Sequence, residues 1–312
     1  MTTAFIFPGQ GSQSVGMGKA LAEISPAARA IFEQVDEALK QSLTRLMFEG
    51  PEDQLTLTAN AQPAIMASSL AALAVLEAEG GIRLAEKAGF VAGHSLGEYS
   101  ALAAAGAIPL DVTAKLLRRR GEAMQAAVPP GEGAMAAILG LGLEDVQAIA
   151  AEAAEGEVCT SANDNAPGQV VVSGHKGAVE RAILLAKAKG SRHAVLLPVS
   201  APFHCPLMAP AAEAMAQALD QVAIATPLVP VFANVTAAPV ADPATIKTLL
   251  VQQVTGTVRW RESVLAMQDA GVTRLVEFGG KVLGPMVKRI APDIQNLSVV
   301  KPDDIEAVLK AL

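Results

Sequence analysis

The chain has 312 residues, of which 51% are hydrophobic and 18% charged, and its formal net charge is -7. This length and composition predict a large globular protein that buries roughly three quarters of its unfolded surface. The negative charge argues against a nucleic-acid-binding surface, and aromatic residues at 3% leave no stacking platform for single strands. Two widely separated cysteines, Cys159 and Cys205, predict neither a disulfide framework nor a zinc site.

The first residues, MTTAFIFPGQ, lack the basic start and apolar core of a signal peptide. No uninterrupted apolar run reaches the roughly 18 residues that cross a bilayer. We therefore expect a cytoplasmic protein that makes no contact with a membrane.

Short apolar runs alternate along the chain with longer helical patterns. Residues 4–7, 90–92 and 274–278 are predicted strands, whereas 64–79 and 110–125 are predicted helices. This alternation predicts an α/β fold with a mainly parallel sheet. The predicted strands are followed by the glycine-bearing turns FPGQGSQ, GHSLG and GGK. Because ligands bind at the carboxyl ends of such strands, these turns are the places to look for chemistry.

The middle of the chain follows a different order. Its periodicities predict β-α-β-β-α-β, the ferredoxin-like arrangement, between VPPGEG and PVSAPFHCP. We therefore predict a large α/β domain in two parts, residues 1–128 and 199–312, with a small ferredoxin-like domain inserted at 129–198. A cleft between the two domains is the expected site. The final residues, 303–312, are predicted to form a helix.

The segment Gly93-His94-Ser95-Leu96-Gly97 matches Gly-x-Ser-x-Gly, in which a serine occupies a strained turn between strand and helix. The same pentapeptide also occurs in ordinary loops. A strand-like run precedes it here and a helix-prone stretch follows, which favours a nucleophile. A serine hydroxyl needs a base within hydrogen-bonding reach.

The four histidines are the candidates for that base. His94 adjoins the serine, and neighbours in a sharp turn point apart, while His175 and His193 stand at the starts of predicted elements. His204 follows the inserted segment, where a side chain would face the cleft, and is the best candidate. Cys205 beside it lacks a comparable turn and is a weak alternative nucleophile. No histidine occurs beyond His204, which separates this scheme from lipases and esterases.

Attack on an acyl carbon creates an oxyanion that needs two N–H donors. The residue after the nucleophile, Leu96, normally supplies one of them. The glycine-bearing turn at 7–13 is suited to supply the other. It is not a Walker loop, because no Gly-Lys-Ser/Thr follows it.

The segments FPGQGSQSVGMG, GHSLGEYSALAAAGA, RRRGEAMQ, SANDNAPGQVVVSGH, PVSAPFHCPLM and VRWRESV together resemble the malonyl-CoA:acyl carrier protein transacylases of fatty-acid synthesis. The resemblance covers nearly the whole chain in order, and it implies a hydrolase-like large domain with a ferredoxin-like insert. The chain is also similar to the acyltransferase domains of polyketide synthases, but a start at Met1 without a neighbouring synthase domain favours the free-standing enzyme.

The resemblance implies a role for each matching residue. Ser95 would be the acylated nucleophile and His204 its general base and later its general acid. The backbone carbonyl of Gln253 would orient His204 in place of a carboxylate. Backbone N–H groups of Gln10 and Leu96 would hold the oxyanion.

Arg120, the last residue of the RRR run, matches the arginine that binds the free carboxylate of malonate in the family. A planar guanidinium can hold a carboxylate through two parallel hydrogen bonds. Because successive helical residues turn by about 100°, the three arginines cannot share one target. We expect Arg118 and Arg119 on a solvated face.

Other matching positions concern selectivity and site architecture. Phe203 before His204 resembles the Phe-His pair of malonyl-selective acyltransferases. Family members that take branched substrates tend to carry serine at this position instead. Asn163 and Asn234 are predicted substrate-binding residues, and Asn165 also falls in a motif-like position. The loop at Gly279-Gly280 is one residue shorter than the family's and lacks its proline, so its shape near the pocket is expected to differ.

The predicted function is transfer of a malonyl group from malonyl-CoA to the phosphopantetheine thiol of acyl carrier protein. A serine thioesterase, a polyketide-type extender acyltransferase and a non-catalytic carrier-binding scaffold are the alternatives. No metal or redox cofactor is expected, and the chain is expected to be a monomer. A local basic face is expected to dock the acidic carrier protein; its residues are Lys115, Arg118, Lys187, Lys189 and Arg192.

Overall fold

The structure is a computed structural model that describes residues 2–199 and 201–312. The strands are β1 (Thr2–Phe7), β2 (Phe90–Gly93), β3 (Gly133–Leu139), β4 (Cys159–Ala166), β5 (Gln169–His175), β6 (His193–Leu196), β7 (Val231–Ala233), β8 (Ala238–Val240), β9 (Val272–Phe278) and β10 (Gln295–Val299). The helices of the first half are α1 (Lys19–Ile24), α2 (Pro26–Leu39), α3 (Leu43–Glu49), α4 (Glu52–Thr56), α5 (Thr58–Gly80), α6 (Leu84–Lys87), α7 (Gly97–Ala104) and α8 (Leu110–Ala126). Those of the second half are α9 (Leu143–Ala154), α10 (Lys176–Ala188), α11 (Ala209–Asp220), α12 (Pro243–Thr255), α13 (Trp260–Asp269), α14 (Leu283–Ile290) and α15 (Pro302–Ala311).

Six strands form the large sheet in the order β10-β9-β1-β2-β7-β8. All neighbouring strands in it are parallel except β7 and β8, which pair antiparallel. The predicted strands and crossover helices are confirmed, as is the mainly parallel sheet. Strands β1, β2 and β9 lie side by side, so the three glycine-bearing turns that follow them meet at one edge of the sheet.

The small sheet has the order β4-β5-β3-β6 and is antiparallel throughout. Its elements follow β-α-β-β-α-β along the chain, so the predicted ferredoxin-like unit is confirmed. Helices α9 and α10 bury apolar side chains against it in a separate hydrophobic cluster. The boundaries of the predicted domains, at 128/129 and 198/199, stay predictions.

Helix α5 is the central helix of the large unit. Its length and mean hydropathy would allow it to cross a membrane, although polar residues interrupt its apolar sequence. However, 83% of the apolar 18-residue stretch of this helix is buried inside the described part of the protein. Burial on nearly every side identifies it as a core helix of a globular unit.

The two sheets are joined directly beside the cleft. Val258 forms a parallel bridge with Asn163, its N–H donates to Ala162 O at 2.9 Å, and its carbonyl accepts from Asp164 N–H at 3.0 Å. The Arg261 guanidinium binds both carboxylate oxygens of the buried Asp164. The small sheet is therefore fixed to the segment that follows α12.

Both cysteines are free and buried, as the sequence predicted. Burial raises the pKa of both thiols. Cys205 also donates its S–H to Pro202 O at 3.1 Å and takes no part in the histidine's contacts.

Candidate active site

Ser95 lies on a sharp turn between β2 and α7, as the pentapeptide predicted. Its φ is 54°, in the left-handed region that costs energy for any residue with a side chain. A Cβ on Gly93 would lie 1.9 Å from Gly97 C, and a Cβ on Gly97 would lie 2.2 Å from Phe7 O. The two glycines are therefore required because strand and helix approach so closely.

The hydroxyl of Ser95 meets His204 across the cleft. Ser95 Oγ lies 2.7 Å from His204 Nε2, and His204 Nδ1 lies 2.9 Å from the backbone carbonyl of Gln253. Because a carbonyl can only accept, Nδ1 carries the proton and Nε2 is free to accept from the serine hydroxyl. The structure thus brings together three residues that are far apart in sequence, with a histidine ready to act as a base.

Burial and a nearby cation keep His204 neutral. The pKa of the imidazole is lowered to about 3, first by desolvation and then by the positive charge of Arg120, while the hydrogen bond to Gln253 O opposes both effects. A neutral imidazole is the form that can remove a proton from a hydroxyl. The histidine therefore has the competent protonation state throughout the neutral range.

Arg120 reaches the same hydroxyl from α8. Its Nη2 donates to Ser95 Oγ at 3.1 Å and to Gln253 Oε1 at 2.9 Å, and its Nη1 donates to Gln62 Oε1 at 2.9 Å. The residue is only 1% exposed, and no carboxylate of the described residues pairs with it directly. A buried guanidinium held only by neutral groups lacks a counter-charge and could pair with an anion.

The neighbouring arginines point elsewhere, as helical geometry predicted. Arg118 is half-buried and donates to Asn60 Oδ1 at 2.6 Å, whereas Arg119 is exposed. Gly121 lets α8 approach α5 closely, because a Cβ there would lie 2.7 Å from Thr58 O. Arg120 is therefore the one arginine of the run that enters the site.

Ser95, His204 and Arg120 line a cavity of about 310 Å³. Gln10, Leu96, Phe203 and Asn163 also belong to its wall. The backbone N–H groups of Gln10 and Leu96 donate to no other described residue. Both residues therefore lie in the cavity wall, and the role of their N–H groups in holding an oxyanion stays a prediction.

Asn234 lies beneath the turn and not in the cavity wall. Its Oδ1 accepts from Ser95 N–H at 2.7 Å, and its Nδ2 donates to Gly93 O at 2.7 Å. Because both ends of its amide are bound to the turn and it does not line the cavity, the structure does not bring it to the substrate-contacting position that was predicted for it. Asn234 instead holds the backbone of the turn in its strained conformation.

His94 contacts the small sheet and does not approach Ser95 Oγ as a base. Its Nε2 lies 2.8 Å from Asn165 Oδ1, and its ring packs 5.9 Å from that of Trp260. Burial lowers the pKa of this imidazole as well. The residue next to the nucleophile in sequence therefore lines the cavity as a neutral group.

Two further side chains of the site were not predicted from the sequence. Gln62 orients Arg120, and Glu98 lies buried beneath the turn. The available signals were an amide among the apolar residues of helix α5 and a carboxylate at the start of the alanine-rich helix α7. Neither signal distinguishes a site residue from a chance polar residue without the fold.

The short loop at Gly279-Gly280 lies outside the cavity wall. Gly279 has a φ of 79°, and a Cβ on it would lie 2.7 Å from Ser69 Cα. The loop leads into α14, whose first N–H groups donate to the buried carboxylate of Glu277. The loop therefore contributes no residue to the lining of the cavity.

An α/β sheet that presents a strained serine to a buried histidine defines the class of serine acyl-transfer proteins. Residues 4–279 match the acyl transferase domain family, and the chain belongs to that family, as an acyltransferase of the malonyl CoA-acyl carrier protein transacylase group. It is 46% identical to the malonyl CoA-acyl carrier protein transacylase of Bacillus subtilis strain 168, over 99% of this chain and 96% of that protein. The corresponding protein of Escherichia coli K12 is 42% identical over 98% of both chains.

Solved structures show the same architecture. An acyl-carrier-protein-S-malonyltransferase from Bartonella henselae superposes with a TM-score of 0.97 at 54% identity, covering 100% of this chain and 99% of that one. A malonyl-transacylase solved in complex with its type II PKS acyl-carrier protein has a TM-score of 0.96 at 39% identity, with 100% of both chains covered. The two-sheet fold is therefore that of the family.

Proposed function

We propose that this acyltransferase moves a malonyl group from malonyl-CoA to the phosphopantetheine thiol of acyl carrier protein, through a malonyl ester on Ser95. The observation that carries the proposal is the convergence of two groups on one oxygen. His204 Nε2 lies 2.7 Å and Arg120 Nη2 3.1 Å from Ser95 Oγ. A base and an anion receptor at one hydroxyl suit an acyl group that bears its own carboxylate.

The first half-reaction forms the ester. His204 Nε2 takes the proton of the Ser95 hydroxyl while Oγ attacks the thioester carbonyl carbon of malonyl-CoA. The N–H groups of Leu96 and Gln10 stabilise the negative charge on the carbonyl oxygen. The C–S bond then breaks, and His204 returns its proton to the departing thiolate, so free CoA leaves and the histidine is neutral again.

Arg120 selects the acyl group. In a malonyl ester of Ser95, one carbonyl carbon and one methylene separate Oγ from the free carboxylate, so that carboxylate falls beside the guanidinium that already contacts Oγ. Hydrogen bonds to Gln62 and Gln253 hold the planar guanidinium in one orientation, which suits two parallel hydrogen bonds to a carboxylate. An acetyl group would leave this buried cation unpaired and is disfavoured.

The second half-reaction repeats the chemistry in reverse. His204 deprotonates the phosphopantetheine thiol, the thiolate attacks the ester carbon, and the same N–H groups hold the oxyanion. Ser95 leaves with the proton from His204. No metal ion or redox cofactor enters either step of the proposed scheme.

Acyl carrier protein is the proposed partner, and the solved complex of a related malonyl-transacylase with its carrier supports it. The predicted docking face is only partly available, because Lys115 pairs with Asp111 and Lys189 with Glu152. Lys187 and Arg192 lie near the end of α10 and the start of β6, the strand that leads into the cavity wall at residues 197–199. We place the carrier's acidic surface there, and we place the reaction in the cytoplasm.

The proposal is tested by supplying the purified protein with malonyl-CoA and holo acyl carrier protein. We expect malonyl-carrier protein to form much faster than free malonate is released. Faster release of malonate would assign the chain to the thioesterases instead. A carrier protein of polyketide synthesis, used in parallel, identifies the pathway by the ratio of the two rates.

A further inference from the structure

A buried carboxylate lies directly beneath the turn, and the scheme above does not use it. Glu98 is the second residue of α7, is 2% exposed and does not belong to the cavity wall. Its Oε2 accepts from Asn234 N–H at 3.0 Å and from Gln253 Nε2 at 2.7 Å. A carboxylate removed from water needs such partners to be tolerated.

Both partners of Glu98 touch the reacting groups. Asn234 Oδ1 holds Ser95 N–H, and Gln253 Nε2 also donates to Ser95 O at 3.0 Å. Gln253 supplies the carbonyl that orients His204, and its Oε1 accepts from Arg120. His204 and Arg120, which converge on Ser95 Oγ, are therefore each connected to Glu98 through Gln253.

The carboxylate also decides which way the Gln253 amide points. An amide side chain presents a donor at one side and an acceptor at the other, and the two can exchange places. Since Glu98 Oε2 and Ser95 O only accept, Nε2 must face them, and Oε1 must then face Arg120. The reverse orientation would place an NH₂ group against a guanidinium, with two donors facing each other.

Glu98 is in addition a buried carboxyl that Gln253 bridges to Arg120 and whose charge acts on the guanidinium. Burial raises the pKa of its carboxyl to about 7, and the charge of Arg120 is one of the influences that oppose this rise. The other ionisable groups nearby stay uncharged: burial raises the pKa of Tyr99 to about 12 and lowers that of His204 to about 3. The Glu98 carboxyl is therefore balanced between its two forms, and the charge on Arg120 biases that balance.

We infer that Glu98 is a positioning residue that fixes the Gln253 amide and serves as the exchangeable counter-charge of Arg120. In the free enzyme Glu98 is partly ionised and compensates the buried guanidinium. When the carboxylate of a malonyl group pairs with Arg120, Glu98 takes up a proton from solvent, and it releases the proton when the malonyl group leaves. This second statement rests on the proposed function, because it requires a substrate carboxylate at Arg120.

The counter-charge is tested by counting protons. A Ser95→Ala variant binds the thioester without reacting, and calorimetric titration at pH 7 in phosphate and in Tris yields the protons taken up per ligand. We expect malonyl-CoA to take up about 0.3 to 0.5 proton more than acetyl-CoA, as for a group that is about half ionised at that pH. Adding Glu98→Gln should abolish the difference, whereas adding Glu277→Gln, which alters another buried carboxyl, should preserve it.

The outcomes separate the two proposals. If malonyl-CoA fails to bind, the proposed function fails. If malonyl-CoA binds but the difference is absent, or if it survives Glu98→Gln, the counter-charge role of Glu98 is wrong and the proposed function stands.

The positioning role is tested with acetyl-CoA, which does not engage Arg120. Glu98→Gln keeps a side-chain oxygen that accepts hydrogen bonds, and we expect acylation of Ser95 within about 3-fold of the unaltered protein. Glu98→Ala removes that oxygen, and Glu98→Asp withdraws it by one methylene; we expect each to lower the acylation rate by about 10-fold or more. Unaltered rates in the folded Glu98→Asp protein would overturn this role.

Discussion

The two walls of the cavity differ in chemistry. The wall that belongs to the large sheet carries Ser95, Arg120 and Gln62, each hydrogen-bonded to another polar group. The wall on the side of the small sheet is mainly apolar, with Met135 on β3 and the segment 197–199 after β6. The reacting groups therefore lie in one wall, whereas the other wall gives the cavity its shape.

The polar wall is also the more tightly constrained. Ser95 and His204 both have positive φ values, 54° and 57°, which persist only where surrounding contacts enforce them. Ser95 N–H donates to Asn234 Oδ1 and Ser95 O accepts from Gln253 Nε2, and these contacts hold the turn at Ser95. Substitutions in the polar wall should therefore affect the rate far more than substitutions in the apolar wall.

The largest effects are expected at the two reacting side chains. Ser95→Ala should lower malonyl transfer by at least about 10⁴-fold because it removes the nucleophile, and His204→Ala by about 10³-fold because it removes the base. Rapid-quench measurement of protein-bound malonyl groups checks both. Met135→Ala in the apolar wall is the matched control and should alter the rate by less than about 3-fold. A comparable loss in that control would remove the distinction between the walls.

The second effect concerns the choice of acyl group. Arg120→Ala should lower malonyl transfer by about 100-fold, since one partner of a buried charge pair is lost. Acetyl transfer should change by less than about 3-fold or increase, because acetyl has no carboxylate to pair. Competition between malonyl-CoA and acetyl-CoA measures the ratio. Equal losses for both thioesters would contradict the role of Arg120 as carboxylate receptor.

The third effect is a missing pH dependence. An imidazole of ordinary pKa would be about 90% protonated at about pH 5.5, and the acylation rate would fall about 10-fold from its neutral value. Burial lowers the pKa of His204 to about 3, so the neutral base persists and the rate should stay within about 3-fold between about pH 5.5 and 8. The second-order rate constant for acylation by acetyl-CoA is the quantity to follow, because the acetyl group does not engage Arg120 and so takes up no proton through Glu98. A fall centred near pH 6.5 would show that the cleft is wetter than this geometry implies.

The smallest effect belongs to the shaping residues. Phe203 is 8% exposed and lies in the cavity wall beside His204. Phe203→Ser should widen the cavity, raising transfer of methylmalonyl relative to malonyl by about 3- to 10-fold while leaving the malonyl rate nearly unchanged. Parallel assays with the two thioesters measure the shift. A large loss of the malonyl rate instead would move Phe203 from shaping to positioning.

Much of the fold was predictable because it follows from local patterns. The strand at Phe90–Gly93 and the helix at Leu110–Ala126 each show a clear hydrophobic period, and the turn at Ser95 is marked by two glycines. The short strands β7 and β8 have three residues each, too few to show a period. Strand β10 was also missed, since only its last residue is fully buried.

The site was predictable only where a motif marks a residue. Ser95 follows from its turn, but the choice of Arg120 within the RRR run needed the family resemblance. Helix α8 then shows the physical reason, because its buried face holds Arg120 and not Arg119. The network of Glu98, Asn234 and Gln253 joins three segments up to 155 residues apart, and no local pattern carries that information.

The measurement that tests this account most directly is mass spectrometry of the protein after brief exposure to malonyl-CoA. The account predicts the mass of one added malonyl group, located on the peptide that contains Ser95 and discharged when holo acyl carrier protein is added. The Ser95→Ala variant should remain unmodified under the same conditions. An unmodified Ser95 in the unaltered protein, or a malonyl group on another residue, would contradict the account.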